Sequence, residues 1–128
     1  MTPRSNPQPA IDRLVDLLLE KYQVELVFLD EAIDDLSCYD KGMTVKILGE
    51  IAKKAKEPYL LPKGSMIPLH GPLAGCGKIR MLADMIRIVV RPTERDGAPC
   101  LLEVIAIGLK AREEAYALAT VRYRQMKT

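Results

Sequence analysis

The sequence predicts an α+β domain, a small and largely antiparallel sheet with helices packed against it. Three observations carry that reading. Lys78 to Arg91 alternates apolar and cationic residues on either side of a turn at Ala83-Asp84, as two successive strands do. Cys100 to Ile107 is a third, β-rich run directly downstream. Apolar residues recur at helical spacing at both ends of the chain and between the first strand and the later ones. With 128 residues, 48% hydrophobic and 28% charged, the chain is the size of one soluble domain with a modest core.

Residues 1–9 contain three prolines and are expected to form a flexible arm before a single domain spanning 10–128. Ile11, Leu14, Val15, Leu18 and Leu19 form the stripe of an amphipathic helix over residues 10–22, an extension whose apolar face is expected to pack on the sheet's own helices, to pair two protomers, or to lie where an antitoxin helix would lie, leaving the free protein dimeric or partly self-masked. Val24 to Leu29 reads as the first strand. Asp30 is expected to cap a short helix running to about Leu36, with Glu31 in its first turn. After a turn at Cys38–Gly42, a second helix from about Met43 to Lys56 carries Val45, Leu48, Ile51, Ala52 and Ala55 on one stripe, and Pro58 ends it. The two form a helical hairpin after the first strand. Pro62 to Gly77 reads as a long irregular loop. The three consecutive strands follow, with a turn near Asp96-Gly97, and Gly108 is read as the break after the third. A C-terminal helix from Leu109 to about Gln125 would place Arg112 and Tyr116 on one face.

Composition narrows the function classes. No apolar run approaches the roughly 20 residues of a membrane helix, and the N-terminus lacks a signal pattern, so a cytoplasmic protein with no membrane role is expected. Cys38, Cys76 and Cys100 are odd in number and widely spaced, which fits reduced thiols. With His70 they lack metal-ligand spacing, so neither a metal nor a cofactor is expected. The net charge of +2 hides an asymmetry: residues 76–128 carry ten Lys or Arg against six Asp or Glu, residues 1–75 nine against eleven.

That basic excess is placed one-sidedly. In the strand pair Ile79, Met81, Ile86, Ile88 and Val90 share one face, while Lys78, Arg80, Arg87 and Arg91 share the other. The turn sets Arg80 opposite Arg87. Like charges facing one another across strands are destabilising, and an anion such as a phosphate relieves them.

From Val24 to about Arg124 the chain resembles the RelE/ParE superfamily of toxins from type II toxin–antitoxin systems. The residues that carry the likeness are Phe28-Leu29-Asp30-Glu31-Ala32, Pro68-Leu69-His70-Gly71, Lys78-Ile79-Arg80, Ile86-Arg87-Ile88-Val89, and Ile105-Ala106-Ile107-Gly108 leading to Arg112 and Tyr116. The RelE-like branch implies an endoribonuclease that cuts messenger RNA, often on the ribosome, and is neutralised by a cognate antitoxin. By position its catalytic residues fall on Lys78, Arg80, Arg87 and Tyr116, with Arg91, Lys110 and Arg112 as further RNA contacts. Lys110 stands where such proteins often have an arginine, and lacks the planar fork that grips two phosphate oxygens. Val90 stands where they often have an aromatic residue.

The chemistry fits those residue types. RNA carries its own nucleophile, the 2′-hydroxyl, so cations that stabilise a pentacoordinate phosphate can promote cleavage without a metal. Tyr116 would serve as general base or stack on a base, and as a base it needs cationic neighbours to ionise. Two other readings stand beside this one: a ParE-like toxin that inhibits DNA gyrase, and a catalytically silent RelE-fold binding protein of a mobile element. The branches share a fold, so the residues must decide.

Overall fold

The strand pair forms in the expected register. Arg80 pairs with Arg87 and Ile79 with Ile88 across an antiparallel ladder, and Leu82 to Met85 make the turn, with Met85 at φ 56°. The computed structural model describes residues 6–127, arranged as α1 (Gln8–Tyr22), β1 (Val24–Phe28), α2 (Asp30–Ser37), α3 (Lys41–Ala55), β2 (Ile67–Pro68), β3 (Gly77–Met81), β4 (Ile86–Thr93), β5 (Cys100–Leu109) and α4 (Glu114–Met126). Short 3-10 turns lie at Gly71–Leu73 and Lys110–Arg112. The strand order is β1-β5-β4-β3-β2. Among the described strands of this sheet only the β1–β5 pairing is parallel. The α+β class is therefore as the sequence predicts, and so is the succession of elements apart from the added strand β2.

One face of the sheet holds the main core. Ile79, Met81, Ile86, Ile88 and Val90 join Leu26, Phe28, Leu102 and Val104 under α1, α2 and α3. The other face is covered too, which the alternation alone did not indicate. There α4 lies across β4 and β5, and its Ala115, Ala119 and Tyr123 pack on Val89, Ile105 and Ala106. Alanines let the helix approach closely.

Several boundaries move, each for a local reason. The expected arm lies outside the described residues at 1–5, and α1 begins at Gln8, with prolines at its start where a missing N–H costs nothing. Ile11, Leu14 and Leu18 of α1 are buried in the chain's own core, each burial worth roughly 1.5–3 kcal/mol. Of the alternatives for this helix, packing within the chain accounts for Leu14 and Leu18, which are thus unavailable as a protomer-pairing face; Leu19 stays 45% exposed. Leu29, not Asp30, is the cap of α2, because its carbonyl accepts from Ala32 and Ile33 while Asp30 already lies in the first turn. The true side-chain cap belongs to α3, where Asp40 accepts from the Met43 N–H at 2.8 Å. On α3 the buried stripe runs through Thr44, Ile47, Leu48, Ile51 and Ala55, and Val45 is exposed. The loop before β3 contains a short strand, β2, paired with Gly77 and Lys78.

Two corrections bear on the site. Gly108 does not end the third strand but pairs with Arg87 inside β5. A Cβ there would lie 2.6 Å from Glu114 Cβ and 2.8 Å from the Ala115 nitrogen, so glycine is what admits the start of α4 over the sheet. The C-terminal helix is not continuous from Leu109 either. Glu113 adopts a left-handed conformation, φ 52°, which separates Arg112 on its 3-10 turn from Tyr116 on α4.

A β-bulge sits in β5, where the register shifts between the Val89–Ala106 and Val90–Val104 pairs. Its freed backbone groups are satisfied by an ion pair. Asp35 of α2 accepts from the Ile107 N–H at 3.0 Å, and Arg122 of α4 donates to the Ile105 carbonyl at 2.9 Å. Arg122 also grips both Asp35 oxygens, at 2.7 and 3.0 Å.

All three cysteines are free thiols; Cys38 is exposed, Cys76 and Cys100 are buried. Burial pushes the Cys76 thiol up from 9.0 to about 11, against the lowering pull of Arg91 and Lys127. The fold favours its protonated form, so its contribution to stability is complete below pH 9 and is lost as pH rises through 11. Melting curves of Cys76→Ala are expected to show a smaller loss of Tm between pH 9 and 11 than wild type; an unchanged slope would refute the assignment.

Candidate functional site

Arg80, Arg87 and Gly108 lie side by side across β3, β4 and β5, with neighbouring strands about 4.8 Å apart. Because Gly108 has no side chain, the first turn of α4 rests on this row and brings Tyr116 over it. Lys78, two residues before Arg80 and on the same face, has its Nζ 5.9 Å from the Tyr116 ring centroid. The four residues that the resemblance marks as catalytic thus converge on one patch.

Arg87 is the unusual member. It is only 4% exposed, and its Nη1 donates to the Ile86 carbonyl at 3.1 Å. No carboxylate among the described residues forms an ion pair with Arg87, Arg80 or Lys78. A buried cation without a counter-ion costs several kcal/mol. Arg80 beside it is exposed, so the patch opens from a desolvated guanidinium to a solvated one.

Tyr116 is half-buried, and its pKa is raised. Burial is the largest cause; the Arg87 guanidinium beside it and the Arg80 charge pull the other way without overcoming it. The phenol therefore remains protonated at neutral pH. The cations acting on it are Arg87 and Arg80 rather than Arg112, and their pull does not offset burial. A protonated phenol can donate a hydrogen bond or stack, but it does not take a proton.

The three outlying cations divide. Lys110 and Arg112 are exposed on the 3-10 turn after β5, at the Arg87 end of the sheet, where the Lys110 N–H donates to the Met85 carbonyl at 2.9 Å. Arg91 lies on β4 four residues from Arg87, about 13 Å away, and it is already engaged. Its Nε donates to Glu103 at 2.9 Å, and its guanidinium stacks 5.5 Å from the Tyr123 ring centroid. Burial works against the charge on Arg91, but the Glu103 bond and charge raise its pKa overall. Arg91 is better placed to tie β4 to β5 than to hold a phosphate.

Sequence reasoning missed Gly108 and Lys54. A glycine inside a β-rich run was the available signal for the first. Lys54 gave none, because only the fold brings the end of α3 to β3. His70 is exposed beside the 3-10 turn at Gly71–Leu73, and no pairing connects it to the cationic row. Among the described residues no cluster of three or more His, Cys, Asp or Glu is arranged to hold a metal. No helix among them is long and apolar enough to cross a membrane.

The architecture is that of the RelE-like α+β fold. A solved structure that shares it is the E. coli toxin RelE, determined in the free state as a double arginine-to-alanine mutant. It superposes with a TM-score of 0.58 at 20% identity, covering 76% of this chain and 94% of that one. No family model matches the sequence, and no curated protein matches it. The likeness establishes the fold.

Proposed function

We propose that this chain is the toxin of a toxin–antitoxin module and cleaves messenger RNA. The observation that carries the reading is the convergence of Lys78, Arg80, Arg87 and Tyr116 on one patch that is rich in cations without a carboxylate counter-ion. In the reaction the 2′-oxygen of a nucleotide attacks the adjacent phosphorus and the bond to the 5′-oxygen breaks, leaving a cyclic phosphate and a free 5′-hydroxyl. Arg87 and Arg80 bind the phosphate oxygens as negative charge builds on them. The 2′-proton passes to water, and Lys78 adds its charge beside the phosphate. Tyr116, kept protonated, donates to the departing 5′-oxygen or stacks on a base. A cognate antitoxin would silence the protein by covering this cationic patch, and the setting is cytoplasmic, with translated messages as substrate.

The test is induction of the chain in a bacterial host, with the Arg80→Ala, Arg87→Ala double variant and Tyr116→Ala alongside, and mapping of messenger RNA ends by primer extension. New ends in translated transcripts that vanish in the variants are expected. Growth arrest without new ends would replace this reading with gyrase inhibition, and no effect on growth or transcripts would leave a silent binding protein.

A further inference from the structure

The cations continue past Arg80 around the rim of the sheet. β2 pairs with β3 only at Gly77 and Lys78, so the outer edge of β3 from Ile79 onward carries no strand. The last turn of α3 comes against that edge and brings half-buried Lys54 with it. Ser65 fixes the turn, its hydroxyl lying 3.0 Å from the Lys54 carbonyl oxygen and 2.9 Å from that of Glu57.

Lys54, Lys78 and Arg80, with Ser65 and Ile67, line a hollow of about 190 Å³. That leaves room for a phosphodiester group and a few waters. No carboxylate lines it, and none of the three cations forms an ion pair among the described residues. The adjoining hollow differs: there Lys53, Lys54 and Arg80 face Glu50 and Asp84, and the charges are mixed. Three like charges around one recess repel one another until an anion enters. Lysine offers a point charge without the fork geometry of arginine, which suits a phosphate held without regard to base identity.

We infer that this hollow is a second phosphate subsite, so that the RNA strand runs from Tyr116 over Arg87 and Arg80 to Lys54 at the rim of β3. The inference rests on the RNA-cleaving reading and adds Lys54 as a binding residue outside the reacting centre. It predicts that Lys54 contributes one phosphate contact to binding and none to the chemical step.

The experiment measures binding of a fluorescent 2′-O-methyl oligoribonucleotide, which lacks the nucleophile, to the full chain at increasing KCl. One lost phosphate contact lowers the slope of log affinity against log salt by about 0.7 on a single strand. Lys54→Ala is expected to show that decrease on every sequence tried, and Lys54→Arg to restore the slope. Lys21→Ala, on α1 with its amine over Tyr22, should leave it unchanged. On a cleavable RNA, Lys54→Ala should raise KM and spare kcat. An unchanged slope in Lys54→Ala, or an equal decrease in Lys21→Ala, overturns the subsite. If Arg80→Ala weakens binding while Lys54→Ala does not, the subsite alone fails; if wild type does not bind, the RNA reading fails with it.

Discussion

Arg87→Gln is expected to lose at least about 100-fold in RNA cleavage while its melting temperature holds or rises. The two effects share one cause. Arg87 is 4% exposed and carries a charge that no carboxylate among the described residues pairs with, so a bound phosphate would offset part of the cost of keeping it out of water. A neutral glutamine removes that cost and the phosphate donor together. The trade between stability and activity is characteristic of groups held in place for a ligand. Arg87→Lys keeps the charge but loses the second donor, and should fall between the two. Single-turnover cleavage and thermal melts of the three proteins decide it, and a Gln variant that melts several degrees lower yet still cleaves would refute the role given to Arg87.

The second large effect lies on the opposite side of α4. Arg122→Ala is expected to destabilise the fold by about 3–5 kcal/mol, because it strands the Asp35 carboxylate in a site where both partners are only 12% exposed. Asp35→Ala should cost a similar amount. Replacing a buried ion pair by two apolar residues is often neutral, but here Asp35→Leu with Arg122→Met should not recover wild-type stability. The Ile105 carbonyl and the Ile107 N–H would lose their partners at the bulge, at about 1–3 kcal/mol for each orphan. Urea unfolding of the two single variants and the double variant tests this, and full recovery in the double would show that the bulge needs no side-chain partner.

Those two arginines also mark what could be read from the sequence and what could not. The facing of Arg80 and Arg87 was legible, because period-two alternation and a short turn fix register locally. The main-core face of the same strands was legible for the same reason. That α4 would cover the cationic face was not, since alanines signal close packing without naming the surface they pack on. The partner of Arg122 lies 87 residues away, and no spacing rule reaches that far. Gly108 was misread because a glycine after a β run looks like a terminator until the helix crossing over it is known. The burial that raises the pKa of Tyr116 could not be read from a motif.

The pairing of β1 with β5 gives the chain a history as well as a shape. Among the described residues Val24 to Phe28 find their only strand partner in Cys100 to Val104, so β1 waits for a strand synthesised much later. Fragments that stop before β5 contain Arg80 and Arg87 but have neither the strand that joins β1 to the rest of the sheet nor the helix that carries Tyr116. Such long-range closure is slow compared with local hairpin formation. A growing polypeptide of this design cannot close its sheet until β5 has been made.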